Sequence, residues 1–175
     1  MKNNYNIKND TISHPTDNKY IKRMWRNMLN RETKGLASVS QEFRQYVNFE
    51  NWVLSRYSEQ FLIENNFQLD KDLKVFGNKV YSENNCLLIP QMLNNLVKIG
   101  KGFEVRNGRY YAAIVSNSTS KKVYLAAFDN EADARHCYLK AKAHELDSYL
   151  VSNFKMLNVE TIAALLSLIK MLGEL

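Results

Sequence analysis

The sequence predicts an α+β fold: N-terminal helices, a ββα hairpin-helix core, a three-stranded antiparallel sheet packed on one helix, and a C-terminal helix. Three observations carry this. Ile21, Met24, Trp25, Met28 and Leu29 recur at helical spacing along one face. Asn107-Gly108, a strong signal for a two-residue hairpin turn, separates two β-patterned runs. Residues 159–172 are strongly apolar. The chain of 175 residues suits one compact domain or two small modules sharing a core. Four regions follow: a basic helical region over 1–64, the hairpin-helix core over 65–99, the sheet-plus-helix module over 100–150, and the apolar helix over 151–175.

In order along the chain, residues 1–14 read as a polar arm, and Asp17 is placed to cap a helix over 18–31. Its outer face carries Lys19, Lys22, Arg23, Arg26 and Asn30. Residues 31–41 form a connection with Gly35 and Ser38. Asn48 is read as the cap of a second helix to residue 61, striped by Phe49, Trp52, Val53 and Tyr57. Asn65-Asn66 interrupts it. Residues 67–75 alternate, with Phe67, Leu69, Leu73 and Val75 on one face. That alternation alone puts Asp70 and Asp72 on the wet face of a strand. Gly77-Asn78 signals a hairpin turn, residues 79–81 begin the return, and 86–89 form a second apolar strand closed by Pro90. Residues 91–98 read as a short helix. Strands follow over 103–106, 109–116 and 121–128, then a helix from Asn130 to Leu150 with Asn130 as its cap. Gly173 is a natural stop for the last helix. That helix is too short to span a membrane and is expected to dock on the protein or to pair two copies as a homodimer.

Composition excludes several classes. With 45% hydrophobic and 24% charged residues the chain is not a disordered one. Cys86 and Cys137, the only cysteines, can form neither a disulfide framework nor a four-thiolate zinc site. No signal-peptide pattern and no run of about 20 apolar residues occurs; a cytoplasmic, membrane-free setting is expected. The formal net charge of +6 is uneven: residues 1–34 hold 8 basic and 3 acidic side chains, and residues 35–99 hold 6 and 7. A concentrated positive end suits a polyanion, nucleic acid foremost.

Two segments resemble known families. Leu69-Asp-Lys-Asp-Leu73, Gly77-Asn-Lys-Val-Tyr-Ser82, Asn85-Cys-Leu-Leu-Ile-Pro90 and Asn94-Asn-Leu96 are similar to the ββα core of HNH homing endonucleases, as found in many phage proteins. Trp25 and Phe49-Glu-Asn-Trp52 resemble their N-terminal helical part. Gly102-Phe-Glu-Val-Arg106, Arg109-Tyr-Tyr-Ala-Ala-Ile114 and Lys122-Val-Tyr-Leu-Ala-Ala-Phe128, followed by the Ala-rich helix from Glu131, are similar to the APETALA-type DNA-binding module. The resemblance covers residues 20–150.

It implies a phage-type double-stranded DNA-binding protein, in the host cytoplasm, whose nuclease core is degenerate. Lys71 falls where the family has its general-base His, and a protonated lysine takes no proton from water. The candidate catalytic residues are then Asp70, Asp72 and Asn85. Asp70 and Asp72 are also the candidate metal ligands, for Mg2+ or another divalent ion if the enzyme is active. Asn85 matches the loop-orienting Asn of the motif. For DNA contact the candidates are Lys22, Arg23 and Arg26 on the first helix, and Arg106, Arg109, Tyr111, Lys121, Lys122 and Tyr124 on the outer face of the sheet. Period-2 reading puts Tyr110, Ala112, Ile114, Val123 and Leu125 inward. Ala113 and Val115 stand where the family has charged readers, and Ala126 where it has Gly, which implies weak sequence specificity. Two alternatives stand beside this: an active metal-dependent nicking endonuclease, and a phage effector that binds and inhibits a host protein.

Overall fold

A computed structural model describes residues 18–116, 119 and 121–174. The chain is α+β, as its pattern predicts. Helix α1 (Lys19–Thr33) buries Ile21, Met24 and Met28, the stripe read from the sequence. Asp17, the expected cap, lies outside the described residues. The open N–H groups of the first turn are instead accepted by Glu59 Oε1, from Tyr20 at 2.8 Å and Ile21 at 3.1 Å. That carboxylate comes from a helix distant in sequence, so no local pattern could reveal it.

The helix predicted over 48–61 is split into two, and a short helix that the sequence pattern does not indicate precedes them. Helix α2 (Gln41–Arg44) is followed by α3 (Tyr46–Leu54) and α4 (Glu59–Glu64). Asn48 is inside α3 and does not cap it; the chain turns into that helix at Gln45. Ser40 and Ser58 do cap, accepting from the N–H groups of Phe43 and Phe61. Phe43, Phe49 and Trp52 pack ring on ring, with centroids 5.0–6.0 Å apart.

The strand predicted over 67–75 stops early. Strand β2 (Phe67–Asp70) pairs antiparallel with β4 (Leu87–Pro90). Residues 79–81 do not make the return strand. β3 (Val80–Tyr81) pairs in parallel with β1 (Ser38–Val39), inside the stretch read as a plain connection. Leu73 is buried, whereas Val75 is about half exposed, so the predicted common face ends where the strand does. Helix α5 (Gln91–Leu96) follows β4 directly.

Strand β4 is buried at every position and divides two cores. Cys86 and Leu88 face Ile21, Met28, Phe43, Phe49, Trp52 and Phe67. Leu87 and Ile89 face Leu93, Leu139, Leu146, Leu165 and Leu172. The period of two thus splits one apolar run between neighbours on opposite sides. The 65–99 core therefore serves as the layer shared by the N-terminal and C-terminal parts.

Strands β5 (Phe103–Arg106), β6 (Arg109–Val115) and β7 (Lys122–Phe128) form the antiparallel sheet in sequence order. Asn107 and Gly108 both have positive φ, 51° and 76°, as their two-residue turn requires. The sheet packs on α6 (Glu131–Asn153), whose cap is Asn130: its side-chain oxygen accepts from Asp133 N–H at 2.9 Å. The boundary at residue 150 falls within this helix. Helix α7 (Val159–Glu174) buries Thr161, Leu165, Leu168 and Leu172 against α6 and β4. The docking that its apolar pattern implies is made within the chain. Gly173 does not end it; Gly173 is its penultimate residue. Among the described residues no helix is long and apolar enough to cross a membrane.

Candidate nucleic-acid interface and the Asp70–Asn85 loop

Register decides which side chains share the outer face of the sheet. Cross-strand partners lie on one face, and Glu104 pairs with Tyr111, Arg106 with Arg109, Ala113 with Tyr124, and Val115 with Lys122. Arg106, Arg109, Tyr111, Lys122 and Tyr124 therefore lie on the face opposite Phe103, Ala112 and α6. Lys121 follows the preceding turn and is exposed; its carbonyl accepts from Ser116 N–H at 2.9 Å. Between Ala112 and Ala113 the pairing skips one residue of β7, and Leu125 takes this bulge. Leu125 thus leaves the inward row predicted for it. Val123 keeps to the inward row opposite Ile114, although it is 43% exposed on the edge strand.

The sequence reading missed Glu104. Its carboxylate binds Lys122 Nζ and accepts from Arg106 Nη2 at 2.6 Å and from the Tyr124 hydroxyl at 3.0 Å. Arg106 also donates to the Tyr124 hydroxyl and lies 5.7 Å over the Tyr111 ring. The carboxylate therefore both orients the guanidinium and offsets charge on the face. Each of these pairs is at least a third exposed, so its worth in stability is about 0–1 kcal/mol. Arg109 holds Asp129 at 3.2 Å. The clue lay in alternation: Glu104, two residues before Arg106, must share its face.

The helical candidates form a separate surface. Arg23 and Arg26 are exposed on α1, and Arg23 lies 4.9 Å over the Tyr20 ring. Lys22 is half-buried beside the Tyr46 ring. Helix α1 packs on α3, α4 and β1, whereas the sheet packs on α6.

Asp70 is not on a wet strand face. It is 7% exposed, and its Oδ1 accepts from the N–H groups of Asp72 at 2.9 Å and Leu73 at 2.7 Å. This side-chain turn ends β2. Lys71 is equally buried; its ammonium donates to Asp72 Oδ1 at 2.5 Å and to the Asn78 carbonyl at 2.8 Å. The Asn78 side chain ties the loop, donating to the carbonyls of Lys71 and Val80 and accepting from Asn85 Nδ2 at 3.4 Å. Asn85 thus meets this loop through Asn78, a residue that is not among the candidate site residues read from the sequence. Asp70, Lys71, Asp72 and Asn78 border a cleft of about 540 Å³ that Arg31, Gln68, Lys79, Asn94 and Lys98 also line.

A divalent ion does not fit this donor set. One oxygen of Asp70 is engaged by two backbone N–H groups, and Asp72 already carries the Lys71 ammonium. Among the described residues no three His, Cys, Asp or Glu side chains are grouped to hold a metal. Cys86 behind the cleft is an inert thiol, its pKa pushed up to about 12 by burial.

Burial also pushes the Asp70 carboxyl above its usual range, against the opposing pull of the two backbone N–H groups. A folded-state pKa raised in this way favours folding below the unfolded value of about 3.9, and that contribution is lost as pH rises through the folded value. Asp70→Asn keeps an oxygen for both N–H groups and removes the buried charge. Its stability relative to the parent, read by denaturant unfolding across pH, is expected to be higher near neutrality than in acid. A difference constant across pH would contradict this.

Comparison with protein-family models, with curated proteins and with solved structures finds no match to this chain.

Proposed function

We propose that the protein binds double-stranded DNA through the outer face of the β5–β6–β7 sheet, and that it is an HNH-like homing endonuclease derivative without efficient cleavage. The observation that carries this reading is the register, which gathers Arg106, Arg109, Tyr111, Lys122 and Tyr124 on one solvent face. Arg106 and Arg109 are adjacent partners at the hairpin end, and each fork of donors suits either a phosphate or the O6/N7 edge of guanine. Tyrosine and lysine beside them suit sugar and phosphate contact. Arg23 and Arg26 on α1 add a second cationic surface for the backbone.

Loss of chemistry is the reading that Lys71 supports. Its ammonium, held between Asp72 and the Asn78 carbonyl, fills the place in the motif where a neutral imidazole would have to stand.

Glu104 gives the reading a specific test. Removing its charge by Glu104→Gln frees Lys122 and Arg106 toward phosphates. Duplex affinity is expected to rise across unrelated sequences, and the slope of log K against log salt to steepen by about one phosphate contact. Fluorescence anisotropy with labelled duplexes over a salt series checks this. Affinity that is unchanged or lower would argue against DNA on this face.

A further inference from the structure

Lys142 is unused by everything described above. It lies on α6 and is 6% exposed. It lines a cavity of about 500 Å³ between α5, the sheet and α6, together with apolar Leu96 and Ile114, the Tyr138 ring, and two further lysines, Lys98 and Lys122. No carboxylate is among the described residues that line it. Lys122 shares Glu104, and Lys98 donates to Asn95 Oδ1 at 2.9 Å. Lys142 has only the charge of Glu145, less than one helical turn along, to oppose its own. Burial disfavours its charged form and holds its pKa below the usual lysine range, and an anion placed in the cavity would favour the ammonium.

We propose that this cavity binds a small organic phosphate, with the phosphate on Lys142 and Lys98 and the apolar body against Leu96 and Ile114. The two ammonium groups of Lys142 and Lys98 match a dianion better than a single carboxylate, and the volume is that of a small-molecule site. A duplex lying on the surface does not reach so recessed a group, whereas a compact ligand does. The proposal is therefore independent of the duplex-binding reading.

Phenyl phosphate, titrated into the full chain by calorimetry, is the probe. It is expected to bind saturably at one molecule per chain, with phenol showing no such binding. Lys142→Met keeps the buried stem and removes the charge; it is expected to weaken binding by about tenfold or more. Lys140→Met, an exposed neighbour on α6, is expected to leave binding unchanged. Lys98→Gln, also exposed, keeps the test decisive should Lys142→Met fail to fold, and is expected to weaken binding severalfold. No saturable binding, or affinity unaltered by both Lys142→Met and Lys98→Gln, would overturn the proposal.

Discussion

Replacing Arg106 and Arg109 together with alanine is expected to weaken duplex DNA binding by about 1–3 kcal/mol for each guanidinium that reads a guanine edge. Where both contact only phosphate, the loss is uniform across sequences and the salt slope falls by about two. The fold should tolerate the change. Both side chains are more than half exposed, and their ion pairs with Glu104 and Asp129 are solvent-screened. Anisotropy on matched duplexes, with circular dichroism to verify folding, reads both effects. Unchanged affinity in the folded double variant would remove the sheet face from the account.

The largest effect on stability is expected at Gly102. Its φ is +83°, and a Cβ there would lie 2.1 Å from Cγ and 2.2 Å from Cδ1 of the Tyr138 ring. Tyr138 has little room to yield: it is buried, and its hydroxyl accepts from Gly100 N–H at 3.0 Å. Arg135 closes the same loop by donating to the carbonyls of Gly100 and Lys101. Gly102→Ala therefore adds a left-handed backbone cost of about 1–2 kcal/mol to an overpacking cost of about 1–3 kcal/mol. Against a typical total of about 5–15 kcal/mol this is a large fraction. Gly108→Ala is the control. Its φ is +76° but nothing lies within 4 Å, so only the backbone cost applies. Thermal unfolding should show Gly102→Ala falling well below Gly108→Ala; equal losses would mean that Tyr138 moves aside.

The same loop explains why the sheet module was so legible. Strands β5, β6 and β7 and helix α6 follow one another with a two-residue turn, a short loop and an Asn cap between them. Every signal for them is local. The outer face could be read by counting in twos until Leu125, where a bulge shifted the count without changing the hydrophobic pattern. Elsewhere the local pattern does not decide. Glu59 caps α1, and β3 leaves the hairpin to pair with β1. Asp70 turns its carboxylate onto the backbone and ends a strand that the alternation would have continued to Val75. The first two choices are encoded far from where they act; the third is local, Asp70 reaching only to Asp72 and Leu73, but the apolar alternation does not reveal it.

The candidate core was legible in its members and illegible in their use. Asp70, Lys71, Asp72 and Asn85 are joined around one loop through Asn78. What spacing alone left open was burial. A buried Asp70 serves the backbone, a buried Lys71 takes up the charge of Asp72, and Asn78 links them to Asn85. The acidic Glu104 on the sheet was missed for the opposite reason: attention to cations passed over the carboxylate that holds two of them.

The most direct test of the central claim is a single native gel in which the protein is titrated onto supercoiled plasmid with magnesium or manganese, reading mobility and topology together. Retardation that fades as salt rises is expected, with the plasmid still supercoiled. Relaxed or linear product that is lost with chelator would contradict the loss of cleavage, and absence of retardation below micromolar protein would contradict DNA binding itself.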